Sequence, residues 1–230
     1  MSRITARGII NRRSFQRHDD LLRGMHRTAA VTVITAVIWA IALTRLGNSH
    51  AAPGCNPPPE PAVDQSLLGT QISPAIMADV APAKVSDIRV RVLNAHGTTW
   101  PTWEQQSGGQ AAQVASELRN LGFGVGVGHP TAANDRIYAG SQLTCPGQIR
   151  FGSTPAGRAA AATVWLLAPC LELLESANAA IGDDVYLALG TDFPGLARSD
   201  DIDVALGALR PDATTPPDPS LLARIHSNTC

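Results

Sequence analysis

Two rhythms of apolar residues divide this chain. Across residues 28–44 no side chain is charged, and the run is bracketed by Arg27 and Arg45. From residue 85 onward, apolar positions alternate with polar ones or recur every third and fourth residue. These are the signatures of half-buried strands and amphipathic helices. Ile88, Val90 and Val92 alternate with Arg89 and Arg91, which predicts a strand with one wet face. A polar loop, residues 94–106, follows. Ser107 and Gln110 then form a capping-box pattern ahead of a helical stripe of Ala111, Val114, Ala115, Leu118 and Leu121, with Gly122 placed as its stop. Val125 and Val127, set between Gly124, Gly126 and Gly128, predict a second strand. The stretch reads strand, helix, strand, and a right-handed crossover is expected.

After a loop over residues 129–146 comes a similar unit. Ile149 and Phe151 face one way, Gln148 and Arg150 the other. Thr154 is placed to cap a helix with Pro155 at its first position, and the helix runs through Ala159, Ala162, Val164, Trp165 and Leu166 to a stop at Pro169. Residues 171–174 predict a short strand. A turn at Gly182-Asp183-Asp184 leads to a last strand through Val185, Leu187 and Leu189. Every strand alternates, whereas a doubly wound sheet buries both faces and shows near-continuous Val/Ile runs. The expected fold is therefore α/β: a two-layer sandwich of a mixed β-sheet with two main helices on one face, preceded by a single transmembrane helix. The other sheet face is expected to be polar, or covered by tails or a partner. The glycines flanking Val125 and Val127 are expected to open one strand face to close approach. The stripe Leu221, Leu222 and Ile225 is a candidate cover for it.

Charge assigns the first apolar run. Residues 1–27 hold seven arginines against two aspartates, a local charge of +5. The other eleven basic and seventeen acidic residues give −6. Arginine excess keeps a flank cytoplasmic, so the N-terminus is expected inside and the rest of the chain outside. Seventeen residues at helical rise span about 25 Å, and flanking arginines can snorkel. A cleaved signal with Ser49-His50-Ala51 as its processing site is the rival reading, but 27 residues before the run are long for a signal's basic flank. The expected organisation is a cytoplasmic segment 1–27, an anchor 28–46, a proline-rich extracytoplasmic spacer 47–85, an α/β domain 86–192 and a C-terminal extension 193–230. The outer part is mildly acidic, which argues against nucleic acid as a partner.

All four cysteines, Cys55, Cys145, Cys170 and Cys230, lie beyond the anchor, in a compartment that permits disulfides. Four cysteines allow three pairings, which the sequence alone leaves open. The expected topology favours Cys145 with Cys170, because Cys145 precedes a strand and Cys170 ends the helix that returns antiparallel to it. That leaves Cys55 for Cys230. No Cys/His spacing points to zinc, and neither a metal nor a cofactor is expected.

Val90-Arg91-Val92-Leu93-Asn94-Ala95, the segment Leu118-Arg119-Asn120-Leu121-Gly122-Phe123, Ile149-Arg150-Phe151-Gly152 and Asp184-Val185-Tyr186-Leu187-Ala188-Leu189-Gly190 resemble the LytR C-terminal domain family. The resemblance covers residues 86–192. It implies a bacterial envelope protein acting outside the membrane. Proteins with this domain often carry a LytR-CpsA-Psr catalytic domain as well, for which this chain has no room. The resemblance therefore implies a stand-alone accessory domain with no catalytic residues to carry over.

The candidate binding residues are Trp100 and Trp103, in the polar loop of a chain only 4% aromatic, together with Asn94 at the head of that loop, His96 and His129. Loop tryptophans can stack on sugars or anchor a partner. His96 and His129 are expected to follow the C-terminal ends of parallel neighbouring strands, where α/β sites form. The leading reading is a non-enzymatic, membrane-anchored protein that maintains the envelope by contacting an envelope protein, a second copy of itself, wall glycan or lipid. The alternative is an enzyme of wall-glycopolymer transfer or hydrolysis using His96 and His129.

Overall fold

The computed structural model describes residues 54–59, 67–97 and 109–227. The expected anchor, Trp100, Trp103 and Cys230 lie outside the described residues. Among the described residues no helix is long and apolar enough to cross a membrane.

Six strands form one mixed sheet: β1 (Thr70–Gln71), β2 (Val90–Asn94), β3 (Thr131–Asn134), β4 (Gly147–Gly152), β5 (Glu172–Ser176) and β6 (Val185–Leu189). Their order is β1-β5-β4-β6-β2-β3. The helices are α1 (Pro74–Ala78), α2 (Gly109–Asn120), α3 (Pro155–Leu167), α4 (Asp200–Ala208) and α5 (Pro219–Ser227). Two strand–helix–strand units are present, β2-α2-β3 and β4-α3-β5, each with its strands as parallel neighbours. Strand β6 joins them, parallel to β2 and antiparallel to β4.

The helices pack on one face. Val90, Val92, Ile149, Phe151, Leu173, Val185, Leu187 and Leu189 form a single core with the inner residues of α2 and α3. Helix α3 starts where expected: the Thr154 Oγ1 accepts from Gly157 N at 2.9 Å, and Pro155 occupies the first turn. Its alanines let it lie close to the sheet. At its entry, a Cβ on Gly152 would fall 2.0 Å from the Gly182 carbonyl oxygen, so only glycine fits there. Residues beyond 192, read as an extension, complete this layer: Ile202, Ala205, Leu206, Leu221 and Ile225 are buried in the same core. The Leu221/Ile225 stripe thus covers the helical side, with the His226 ring stacked 3.5 Å from Trp165.

Three expectations are corrected. Val125 and Val127 form no strand. Gly122, Gly124 and Gly128 take positive φ, Gly128 N donates to Gly124 O at 2.8 Å, and the chain coils into a turn that leaves Val125 65% exposed. A Cβ on Gly124 would lie 2.1 Å from the Gly128 oxygen. The strand beside β2 is Thr131–Asn134, within what reads as loop, and no glycine-lined sheet face exists there.

The stretch read as spacer, residues 47–85, also contributes structure. Strand β1 pairs with β5, and Met77 of α1 enters the core.

The third correction concerns the disulfides. Cys145 bonds Cys55, ninety residues away in sequence, and neither Cys170 nor Cys230 is its partner. The cause is the sheet itself. Cys145 packs on the far face with Leu93, Ala95, Ile137, Tyr138, Leu143 and Ala188, while Cys170 follows α3, which packs on the helical face. Cys170 is also disulfide-bonded, so no described cysteine is free.

Candidate functional site

The far face of the sheet carries a buried polar layer. Gln148 and Arg150 point there because Ile149 and Phe151 of the same strand point into the core. On the neighbouring strand β5, Glu172 sits opposite Gln148. Arg150 Nη2 donates to Asp135 Oδ2 at 2.7 Å, with both side chains nearly inaccessible at 3% and 2% exposure. Arg150 Nε and Nη2 also donate to Gln148 Oε1, at 3.1 and 2.8 Å. Gln148 Nε2 passes the chain on to Glu172 Oε2 at 3.1 Å. Asp135 Oδ1 accepts from Ile137 N at 2.9 Å, which fixes the turn leaving β3. Arg150 lies over the Tyr138 ring, 5.8 Å from its centroid. Burial raises the Tyr138 phenol above its ordinary pKa, opposed by the Arg150 charge.

Residues 54–59 strap this layer. Besides the disulfide, Cys55 N donates to Glu172 Oε1 at 2.8 Å. Tyr138 OH donates to Asn56 O at 2.9 Å. Asn56 Nδ2 donates to Gln142 O at 2.9 Å, and Asn56 Oδ1 accepts from Thr144 N at 2.6 Å. The layer is closed and hydrogen-bonded, as buried charge requires. Beside it, where β2 and β6 begin, the far face is more open: Arg89 and Arg91, each about half exposed, both pair with Asp184, at 3.3 and 3.1 Å, and Arg91 lies 5.5 Å from the centroid of the Tyr186 ring.

The residues singled out from sequence are not brought together. Asn94 Oδ1 accepts from Ala111 N at 3.0 Å, so the side chain ties the first turn of α2 to the end of β2. His96 Nε2 lies 3.1 Å from Gln110 Oε1. His129 precedes β3 rather than following a strand. With Arg91 opposite Thr131, the two histidines stand at opposite ends of the parallel pair, separated by roughly 20 Å at the rise of a strand. Among the described residues no group of three or more His, Cys, Asp or Glu is placed to hold a metal.

Sequence reading missed Asp135, Tyr138 and Glu172. Glu172 did carry a signal, a carboxylate inside an apolar strand. Asp135 carries none, since it follows β3, a segment that reads as loop.

Comparison with known proteins places this architecture. Residues 87–193 match the LytR_C family, described as LytR cell envelope-related transcriptional attenuator. The cell envelope integrity protein Cei of Mycobacterium tuberculosis is 53% identical over 203 residues, covering 88% of this chain and 86% of the relative. Among solved structures, the soluble domain of a conserved hypothetical secreted protein from Mycobacterium marinum matches with a TM-score of 0.61 and 52% identity, covering 71% of this chain and 99% of that one.

Proposed function

The chain belongs to the LytR_C family, and from that premise we propose that it is a non-enzymatic, membrane-anchored protein whose extracytoplasmic domain maintains the cell envelope by binding. Its contacts are another envelope protein, a second copy of itself, wall polymer or lipid. The observation that carries this reading is the far face, whose ionisable groups are spent on one another and on the strap. Arg150, Asp135 and Glu172 all point into this closed layer, an arrangement suited to holding a shape. The M. tuberculosis relative is named for envelope integrity and the M. marinum relative is called secreted. Both names agree with a domain outside the membrane, as do the disulfides and the arginine-rich N-terminal flank.

The enzymatic alternative, transfer or hydrolysis of wall glycopolymer through His96 and His129, loses its acid/base pair to the distance between them. General acid–base chemistry needs its groups within hydrogen-bond reach of one substrate.

Crosslinking in intact cells tests the binding reading. Alanine at both Trp100 and Trp103 is expected to reduce capture of the bound protein or polymer without lowering the thermal midpoint of the domain. Unchanged capture would remove that loop from the interface, and the absence of any captured species would remove the scaffold reading.

A further inference from the structure

The two cysteines of the Cys55–Cys145 disulfide are not equally exposed. Cys145 is 1% exposed within the far-face cluster, whereas Cys55 is only partly buried, on a segment with exposed residues on either side. A thiolate arriving from solvent therefore meets Cys55 first. The segment that this bond holds lies over a layer with an uneven formal charge: one cation, Arg150, against two carboxylates, Asp135 and Glu172. Arg150 contacts Asp135 directly at 2.7 Å. Glu172 depends on two uncharged donors, Gln148 Nε2 and the Cys55 backbone N–H. Taking a carboxylate out of water is costly, and lifting the strap would return one Glu172 oxygen to solvent. That gain opposes the hydrogen bonds made at Cys55 and Asn56, and the covalent bond adds to them in holding the strap down.

We propose that Cys55 Sγ is a thiol–disulfide exchange site for a protein dithiol, and that reduction there releases residues 54–59 from the polar layer. One thiolate of the dithiol attacks Cys55 Sγ. The bond to Cys145 breaks, and its electron pair stays on Cys145 Sγ, which takes up a proton. The second thiol of the dithiol then attacks its own partner sulfur in the mixed disulfide and frees Cys55, which is protonated in turn. Two electrons and two protons pass to this chain, and the dithiol leaves as a disulfide. Release uncovers Tyr138 and Glu172. The inference goes beyond the scaffold reading and does not depend on which partner the domain binds.

The test is native-state reduction of the full-length protein in detergent with dithiothreitol, alkylation at timed intervals and peptide mass spectrometry of each cysteine. Loss of far-ultraviolet circular dichroism under the same conditions serves as the measure of global unfolding. Cys55 and Cys145 are expected to be labelled at least about tenfold faster than that signal decays, because local opening is faster than global unfolding. Amide exchange should rise selectively over residues 54–59 and 137–145. Labelling of Cys55 and Cys145 only as the circular dichroism is lost would overturn the proposal. A second arm uses Glu172→Gln, which removes the excess carboxylate. In the reduced protein this variant should slow exchange of the strap amides, and equal or faster exchange would overturn the charge argument.

Discussion

Arg150 shows at the scale of one residue how pattern and packing diverge. Alternation along β4 assigns Gln148 and Arg150 to the face away from the helices, and on that ground alone they read as a wet surface. They are buried because residues 135–145 and 54–59 fold over them, and neither segment carries a period that announces this. The Arg150–Asp135 pair is consequently fragile to one-sided change. Asp135→Ala leaves a buried guanidinium without its carboxylate and is expected to cost about 3–5 kcal/mol, read as a lowered urea midpoint at unchanged slope. Replacing both partners with apolar residues of similar volume should cost much less, since no charge is then left unpaired. Equal losses in the two variants would mean the pair matters through shape alone.

At the scale of elements, helices α2 and α3 and strands β2, β4, β5 and β6 were legible because their signals are local. A cap, a stripe or an alternation lies within a dozen neighbouring residues. Strand β3 was not legible, since Thr131-Ala132-Ala133-Asn134 has no apolar alternation and is a strand only because β2 offers it hydrogen bonds. Helix α5 was visible as a stripe, but its docking site was not. Its His226 stacks on Trp165, and burial lowers the imidazole pKa to about 4 from 6.5.

The sign of the consequence follows from linkage. Below pH 6.5 the unfolded chain takes up a proton that the docked ring refuses, so the unfolded state binds more protons and stability falls as the pH is lowered. This contribution is fully present above pH 6.5 and is lost as pH falls towards 4. After allowance for the ring's partial exposure, it amounts to about 1–2 kcal/mol. Thermal midpoints compared across that window should show the loss in the native protein and a smaller one in His226→Phe, which keeps the stack without the titrating ring.

At the scale of the whole molecule, the uneven charge about residues 28–44 implies an inside N-terminus and an outside domain. A reporter fused after residue 230 and active only outside the cytoplasm should give signal in intact cells. Signal from a cytoplasmic reporter at that position instead would reverse the topology. The sequence by itself determined the α/β character and the helical core face, because each rests on the solvent preferences of residues near one another in the chain. Only the tertiary structure decided that Cys55 meets Cys145, that His96 and His129 stand apart, and that charged residues of three segments share one buried layer. Those outcomes depend on which distant segments the sheet brings into contact, and contact between distant segments leaves no period in the sequence to read.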